Sequence, residues 1–214
     1  MTPRSAPTAT PKAGDPAPRM RAEDRRELVL RAATRVFGER GYHGATTDAI
    51  AKAAGVSQPY VVRMFDGKEA LFLEVLGRAL ERVSASFRQA IAELPPGASP
   101  LDRAHCIGAA YGELLSDRGL LLSLMHAFVA GADPEIGAAA RSGFLQIYRL
   151  LRDEAGLSPD EVTGFLAEGM LLNTLVGLRM GLEVDDDPAA AELVQHVAPT
   201  KHALLVQLAK ARTV

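Results

Sequence analysis

The chain has 214 residues, a formal net charge of −2, no Trp and one cysteine, Cys106. A single thiol excludes a disulfide framework within the chain, and the spacings of zinc ligands are absent. The longest apolar run, Leu120–Val129 with Ser123 and His126 inside it, is too short to span a bilayer. The first residues lack the apolar segment of a signal peptide, so a reducing, cytoplasmic location is expected. Abundant Ala, Leu, Glu and Arg favour helices.

The small net charge hides an asymmetry. Residues 1–68 hold 12 Lys and Arg against 7 Asp and Glu, a net +5, whereas residues 69–214 hold 12 against 19, a net −7. A basic front and an acidic back suggest an anionic partner for the front alone.

Residues 1–20 carry five prolines and almost no large apolar side chain, which reads as a disordered tail. A first helix is expected over 23–40, with Leu28, Ala32, Val36 and Phe37 on one face and Gly41 ending it. GYHGA then reads as a loop. A short second helix follows, with Thr46 or Thr47 as N-cap, Ile50, Ala51 and Ala54 as its apolar face, and Gly55 as a left-handed turn residue. A third begins at Ser57, a candidate cap, with Pro59 in the first turn, where a missing N–H costs nothing. DGKEA opens a fourth helix that runs to about Ala92 and is broken by LPPGASP. Helices are expected over 101–116, 119–131, 134–155, 159–182 and 189–210, with breaks at Gly119, GADP, GLSPD and EVDDDP. Pro199 either kinks the last segment or divides it. No run of strands and no internal repeat is visible, so the expected class is all-α.

Helix, short helix, glycine turn and helix make a helix-turn-helix, which lays its second helix in the major groove of DNA. At 100° per residue Val61 and Phe65 share the core face, with Val56 beside them, while Pro59 and Arg63 point away. Gln58 projects from the helix start and is suited to a bidentate pair with adenine; the Pro59 ring suits a thymine methyl. Tyr60, Arg63 and Lys68 suit phosphates, as do the hydroxyls and free N–H groups at Thr46 and Thr47; Ser57, at the start of the third helix, joins them as a DNA-binding candidate.

The run RAATRVFGERGYHGATTDAIAKAAGVSQPYVVRMFDGKEALFLEVL, about 45 residues, resembles the N-terminal domain of the TetR family of transcriptional regulators. The matching elements are AA…VF…GY, TT..AIA..AGVS and F..KEAL, in order and at the right spacing. The resemblance implies a DNA-binding domain over 21–68 and a larger helical domain over 69–214 for ligand binding and dimerisation. It implies a homodimer on a palindromic operator, repression, and release by a small molecule; no catalysis, metal or cofactor is expected. It places Thr47 and Lys68 at phosphates and Gln58 and Pro59 at bases, the pair QP being that of the tetracycline repressors. One departure stands out: the family's phosphate-gripping Tyr is Val62 here, and its His is Met64. Tyr60, on the other flank, is the expected substitute. Helix 4, which joins the two halves, is the expected lever for release.

The C-terminal half shows no catalytic pattern. His105 and Cys106 are neighbours and point about 100° apart on a helix, and His105, His126, His196 and His202 lack ligand spacing. A mostly apolar pocket is expected instead, with His105, Tyr111, Met125, His126, Phe128, Phe144, Tyr148, Met170 and Asn173 as its candidates and a small hydrophobic molecule as its ligand. The segment EVTGFLAEGMLLNTLVGLRMGLE confines Glu161, Glu168 and Arg179 to one stripe and is apolar elsewhere. Such a helix is buried all round, with one face against its own chain and the other against a second copy. The competing expectations are a helical ligand-binding or enzyme-like protein without DNA function, and an activator of the same fold.

Overall fold

The computed structural model describes residues 21–197 and 202–210; the expected tail over 1–20 and the question at Pro199 lie outside them. The described residues are helical, with no strand among them. In chain order they form α1 (Ala22–Gly44), α2 (Thr47–Ala54), α3 (Gln58–Phe65), α4 (Lys68–Ala92) and α5 (Pro100–Leu114). There follow α6 (Arg118–Val129), α7 (Pro134–Arg149), α8 (Pro159–Leu178), α9 (Pro188–Val197) and α10 (His202–Lys210). A π-helical turn, Leu150–Glu154, extends α7, and a 3₁₀ turn, Met180–Leu182, follows α8.

Helix starts follow from side chains that satisfy free backbone N–H groups. Asp117 accepts from Leu120 N at 3.1 Å and Asp133 from Ile136 N at 3.1 Å. Ser99 with Asp102 and Ser158 with Glu161 form reciprocal capping boxes. Proline occupies the first position of α5, α7, α8 and α9, where no N–H is needed.

Three boundaries differ from the sequence reading. GYHGA is only partly a loop: the chain breaks helical geometry at Gly41 (φ 68°, ψ 175°) and then makes one more turn to Gly44. The last long helix before the acidic loop stops at Leu178, because Arg179 turns left-handed (φ 56°). That conformation is unusual for Arg, and its side chain is held by a hydrogen bond from Nε to the Ala209 carbonyl at 2.9 Å. The break expected at Gly119 falls just before it, at residues 115–117. Gly119 itself lies in the first turn of α6, where α6 crosses α1, and a methyl group on Gly38 would stand 2.8 Å from its Cα.

The core is continuous. Val29, Phe37, Ile50, Val61 and Phe72 of the first four helices join Ile107, Leu121, Ile136 and Val162 of the later ones in one buried cluster. Phe37 and Phe72 meet edge to face at 4.8 Å between centroids. Across the surface, Arg26 pairs with Glu74 and Arg78 with Glu27, tying α1 to α4.

The helix α8 has two faces. Val162, Asn173, Leu175 and Val176 are buried, whereas Gly164, Ala167, Leu171, Thr174 and Leu178 form an exposed stripe at helical spacing. Leu178 is 65% exposed. Within one chain the helix is therefore half covered, not buried all round.

Candidate nucleic-acid interface

Two short helices and the turn between them build the reading head. Thr46, in extended backbone, accepts a hydrogen bond from Ala49 N at 3.1 Å and so opens α2. Gly55 closes α2 with φ 67° and ψ 31°, a left-handed conformation that side-chain-bearing residues rarely adopt. Ile50, Ala51 and Ala54 of α2 and Val61 and Phe65 of α3 are buried. Ser57 takes the cap position of α3 without a side-chain cap bond, and Pro59 occupies the first turn.

That packing leaves Ser57, Pro59 and Arg63 exposed and Gln58, Tyr60 and Val62 half-buried. Gln58 Nε2 donates to Thr47 Oγ1 at 3.1 Å, so the start of α3 is braced against the start of α2. The brace holds the Gln58 side chain in place and leaves its carbonyl oxygen and second N–H without a partner among the described residues. The Tyr60 hydroxyl makes no hydrogen bond among the described residues.

Lys68 has a more structural setting than its sequence position implies. Its Nζ donates to the carbonyls of Tyr42 at 3.0 Å and Ala45 at 3.3 Å, and lies 4.5 Å from the centroid of the Tyr42 ring. The ammonium thus satisfies backbone carbonyls at the end of α1, as cations at helix C-termini do. Of the three ammonium N–H donors, two are used on these carbonyls. Arg26, which the sequence reading does not single out, stacks over Phe65 with its Cζ 4.8 Å from the centroid and is paired with Glu74.

A cavity of about 70 Å³ opens between the later helices. Its walls include Phe87 of α4, Tyr111 of α5, Leu124 and Phe128 of α6, Phe144 of α7, and Met170 and Asn173 of α8. Five of the nine pocket candidates line it: Tyr111, Phe128, Phe144, Met170 and Asn173. The Tyr111 hydroxyl donates to Asn173 Oδ1 at 2.8 Å, and burial pushes its pKa up to about 12.

The other four candidates stand elsewhere. His105 is exposed, and Met125 and Tyr148 are half-buried outside the cavity wall. His126 faces α1, with its Nε2 3.3 Å from the Gly38 carbonyl oxygen. The reason is helical phase: His126 and Phe128 point about 200° apart, so one cavity cannot take both. On α6, Leu124 and Phe128 face the cavity, while Gly119, Ser123 and His126 face α1. Ser123 Oγ reaches the Thr34 carbonyl at 3.2 Å and the Gly119 carbonyl at 2.7 Å. Among the described residues no cluster of His, Cys, Asp or Glu could hold a metal ion, and no helix is long and apolar enough to cross a membrane.

A capped short helix, a left-handed glycine and a second helix with polar groups on its open face define a helix-turn-helix DNA-binding protein. The family model "Bacterial regulatory proteins, tetR family" matches residues 29–75. The chain is 42% identical over 73 residues to the transcriptional activator FasR of Mycolicibacterium smegmatis, a match that covers 34% of this chain and 33% of that protein. It therefore spans about a third of FasR's length. With the transcriptional regulator UidR of Escherichia coli it shares 26% identity over 182 residues, 81% of this chain and 89% of that protein. The crystal structure of the TetR family regulator PfmR from Thermus thermophilus superposes with a TM-score of 0.57 at 20% identity, covering 85% of this chain and 95% of the other. Residues 29–75 thus carry the DNA-binding domain of the TetR family of bacterial regulatory proteins, and along most of its length the chain is similar to a transcriptional regulator.

Proposed function

We propose that this protein is a cytoplasmic, homodimeric repressor that binds a palindromic operator and is released by a small, mostly hydrophobic molecule. Residues 21–68 serve as the reading head and 69–214 as the ligand-binding and dimerisation domain. Gln58 and Pro59 meet base edges; Thr46, Thr47, Ser57, Tyr60, Arg63 and the remaining N–H of Lys68 meet phosphates. The free Tyr60 hydroxyl takes over the grip for which Val62 has no polar atom. The exposed stripe of α8, with small residues at Gly164 and Ala167 and leucines at Leu171 and Leu178, supports isologous pairing with a second copy.

The observation that carries this reading is the bracing of Gln58 by Thr47 on an otherwise open helix start. The test is operator binding, using DNA from upstream of the protein's own gene at several salt concentrations. Gln58→Ala is expected to lose about 1–3 kcal/mol on the preferred sequence and to relax base choice there. An equal loss on every sequence would contradict base readout. FasR is an activator by name, which favours activation as the second reading; transcription from the same promoter in a deletion strain decides the sign.

A further inference from the structure

Asn173 is 6% exposed and lines the cavity, yet its amide nitrogen makes no hydrogen bond among the described residues. Its oxygen is taken by the Tyr111 hydroxyl at 2.8 Å, which leaves that hydroxyl's own lone pairs free to accept. One unused donor therefore stands beside one unused acceptor. Every other lining side chain among the described residues is aliphatic, aromatic, methionine or glycine, and none is charged. Phe128 and Phe144, edge to face at 5.7 Å, line this cavity and also an outer groove of about 440 Å³.

We infer that the cavity takes the uncharged hydroxyl or carbonyl end of an elongated apolar molecule, bound by Asn173 and Tyr111, with its hydrocarbon passing Phe128 and Phe144 into the outer groove. This rests on the reading of the cavity as the effector site. A hydroxyl fits best, since it accepts from the Asn173 amide and donates to the Tyr111 oxygen. A plain hydrocarbon end leaves the buried amide unpaired, which is unfavourable. A carboxylate or an ammonium placed there has no counter-charge and must change its protonation state to enter. Arg141 borders only the outer groove and is exposed, so water screens what it offers a distant carboxylate. The inner cavity, at about 70 Å³, holds a small polar end and little more; the groove accommodates the rest.

The test is calorimetric titration of the full chain at neutral pH with octanol, octanoate and octylammonium. Octanol is expected to bind at least tenfold tighter than either ion. Asn173→Leu and Tyr111→Phe should each weaken octanol about five- to tenfold, the loss of one hydrogen bond. The ranking on the unaltered protein needs no variant to fold. Octanoate binding as tightly as octanol, octanol unaffected by Asn173→Leu, or no binding of any probe each overturns the proposal. A parallel operator titration separates the two readings. Octanol that binds without weakening operator affinity leaves the ligand class standing and removes release by ligand.

Discussion

The crossing of α1 and α6 makes a sharp forecast about two glycines. At Gly38 an added Cβ stands 2.8 Å from both the Cα and the carbonyl oxygen of Gly119. Both are backbone atoms, so no side chain can swing aside, and the helices must part by about 0.6 Å to restore ordinary contact. The same movement lengthens the 3.3 Å contact of His126 with the Gly38 carbonyl and the 3.2 Å bond from Ser123 to the Thr34 carbonyl. Overpacking of this kind costs about 1–3 kcal/mol, and each weakened hydrogen bond about 0.5–1.5 kcal/mol. Against this, removing a glycine from a helix interior returns about 0.5–1 kcal/mol. Gly38→Ala is therefore expected to destabilise by about 1–3 kcal/mol, a fall in Tm of roughly 3–10 °C for a chain of this size. Gly77 in α4 is the control, because a Cβ there meets nothing within 4 Å and its backbone is helical. Gly77→Ala should stabilise by about 0.5–1 kcal/mol. The assay is urea unfolding followed by circular dichroism, at one protomer concentration so that self-association does not enter the comparison. A Gly38→Ala protein as stable as the parent, or a Gly77→Ala protein equally damaged, would refute the reasoning.

Lys68→Met removes two charge-assisted hydrogen bonds to carbonyls in a half-exposed site. It should lower stability by about 1–2 kcal/mol in the same urea assay and reduce the salt slope of DNA binding by about 1; unchanged stability would mean that the carbonyls are satisfied without it. Tyr111, whose folded pKa lies at about 12 against 10 when free, stabilises the fold fully below pH 10. That contribution, roughly 2–3 kcal/mol, is lost as pH rises through 12. Tyr111→Phe lacks this slope, so a constant stability difference between parent and variant across that window would count against the burial argument. Leu178→Glu puts a charge on the exposed stripe of α8 and, opposite its own copy, should shift sedimentation toward the monomer; an undiminished mass would move the dimer interface elsewhere.

The reading head is the most legible part of the chain, because its signals are local. A threonine cap, a glycine that turns left-handed and a proline in a first turn each act within four residues, and the helices they bound fall where the pattern puts them. Features that depend on distant partners are not legible in that way. Lys68 clamps carbonyls 23 and 26 residues away, and nothing in its own neighbourhood announces that. Gly119 reads as a break because glycine often ends helices. Its actual role, close approach to Gly38, needs knowledge of which helix crosses it. For His126 a local signal does exist. Counting 100° per residue separates it from Phe128, and the serine and glycine at i−3 and i−7 share its side. Small residues in that register mark a helix–helix contact before they mark a pocket.

That register also changes which helix best connects cavity and head. The expected lever is α4, which contributes Leu80, Val83 and Phe87 to the cavity wall and begins at the Lys68 clamp. The other candidate, α6, contributes Leu124 and Phe128 to the same wall, and its opposite side meets α1 in the most extensive helix–helix contact among the described residues. The two differ in compliance. Helix α4 meets its neighbours through long side chains, such as Leu80 against Gly143 and the Arg26–Glu74 pair, which absorb small shifts by changing rotamer. The α1–α6 seam is backbone on backbone at Gly38 and Gly119, with Ser123 and His126 bonded across it. A close-packed contact without intervening side chains transmits displacement instead of absorbing it. A molecule that widened the cavity would push α6 at Leu124 and Phe128, and α1 would have to follow. The helix α1 carries Val29, Ala33 and Phe37 in the same core as Ile50 and Val61 of the reading head, so its movement would reach both short helices at once.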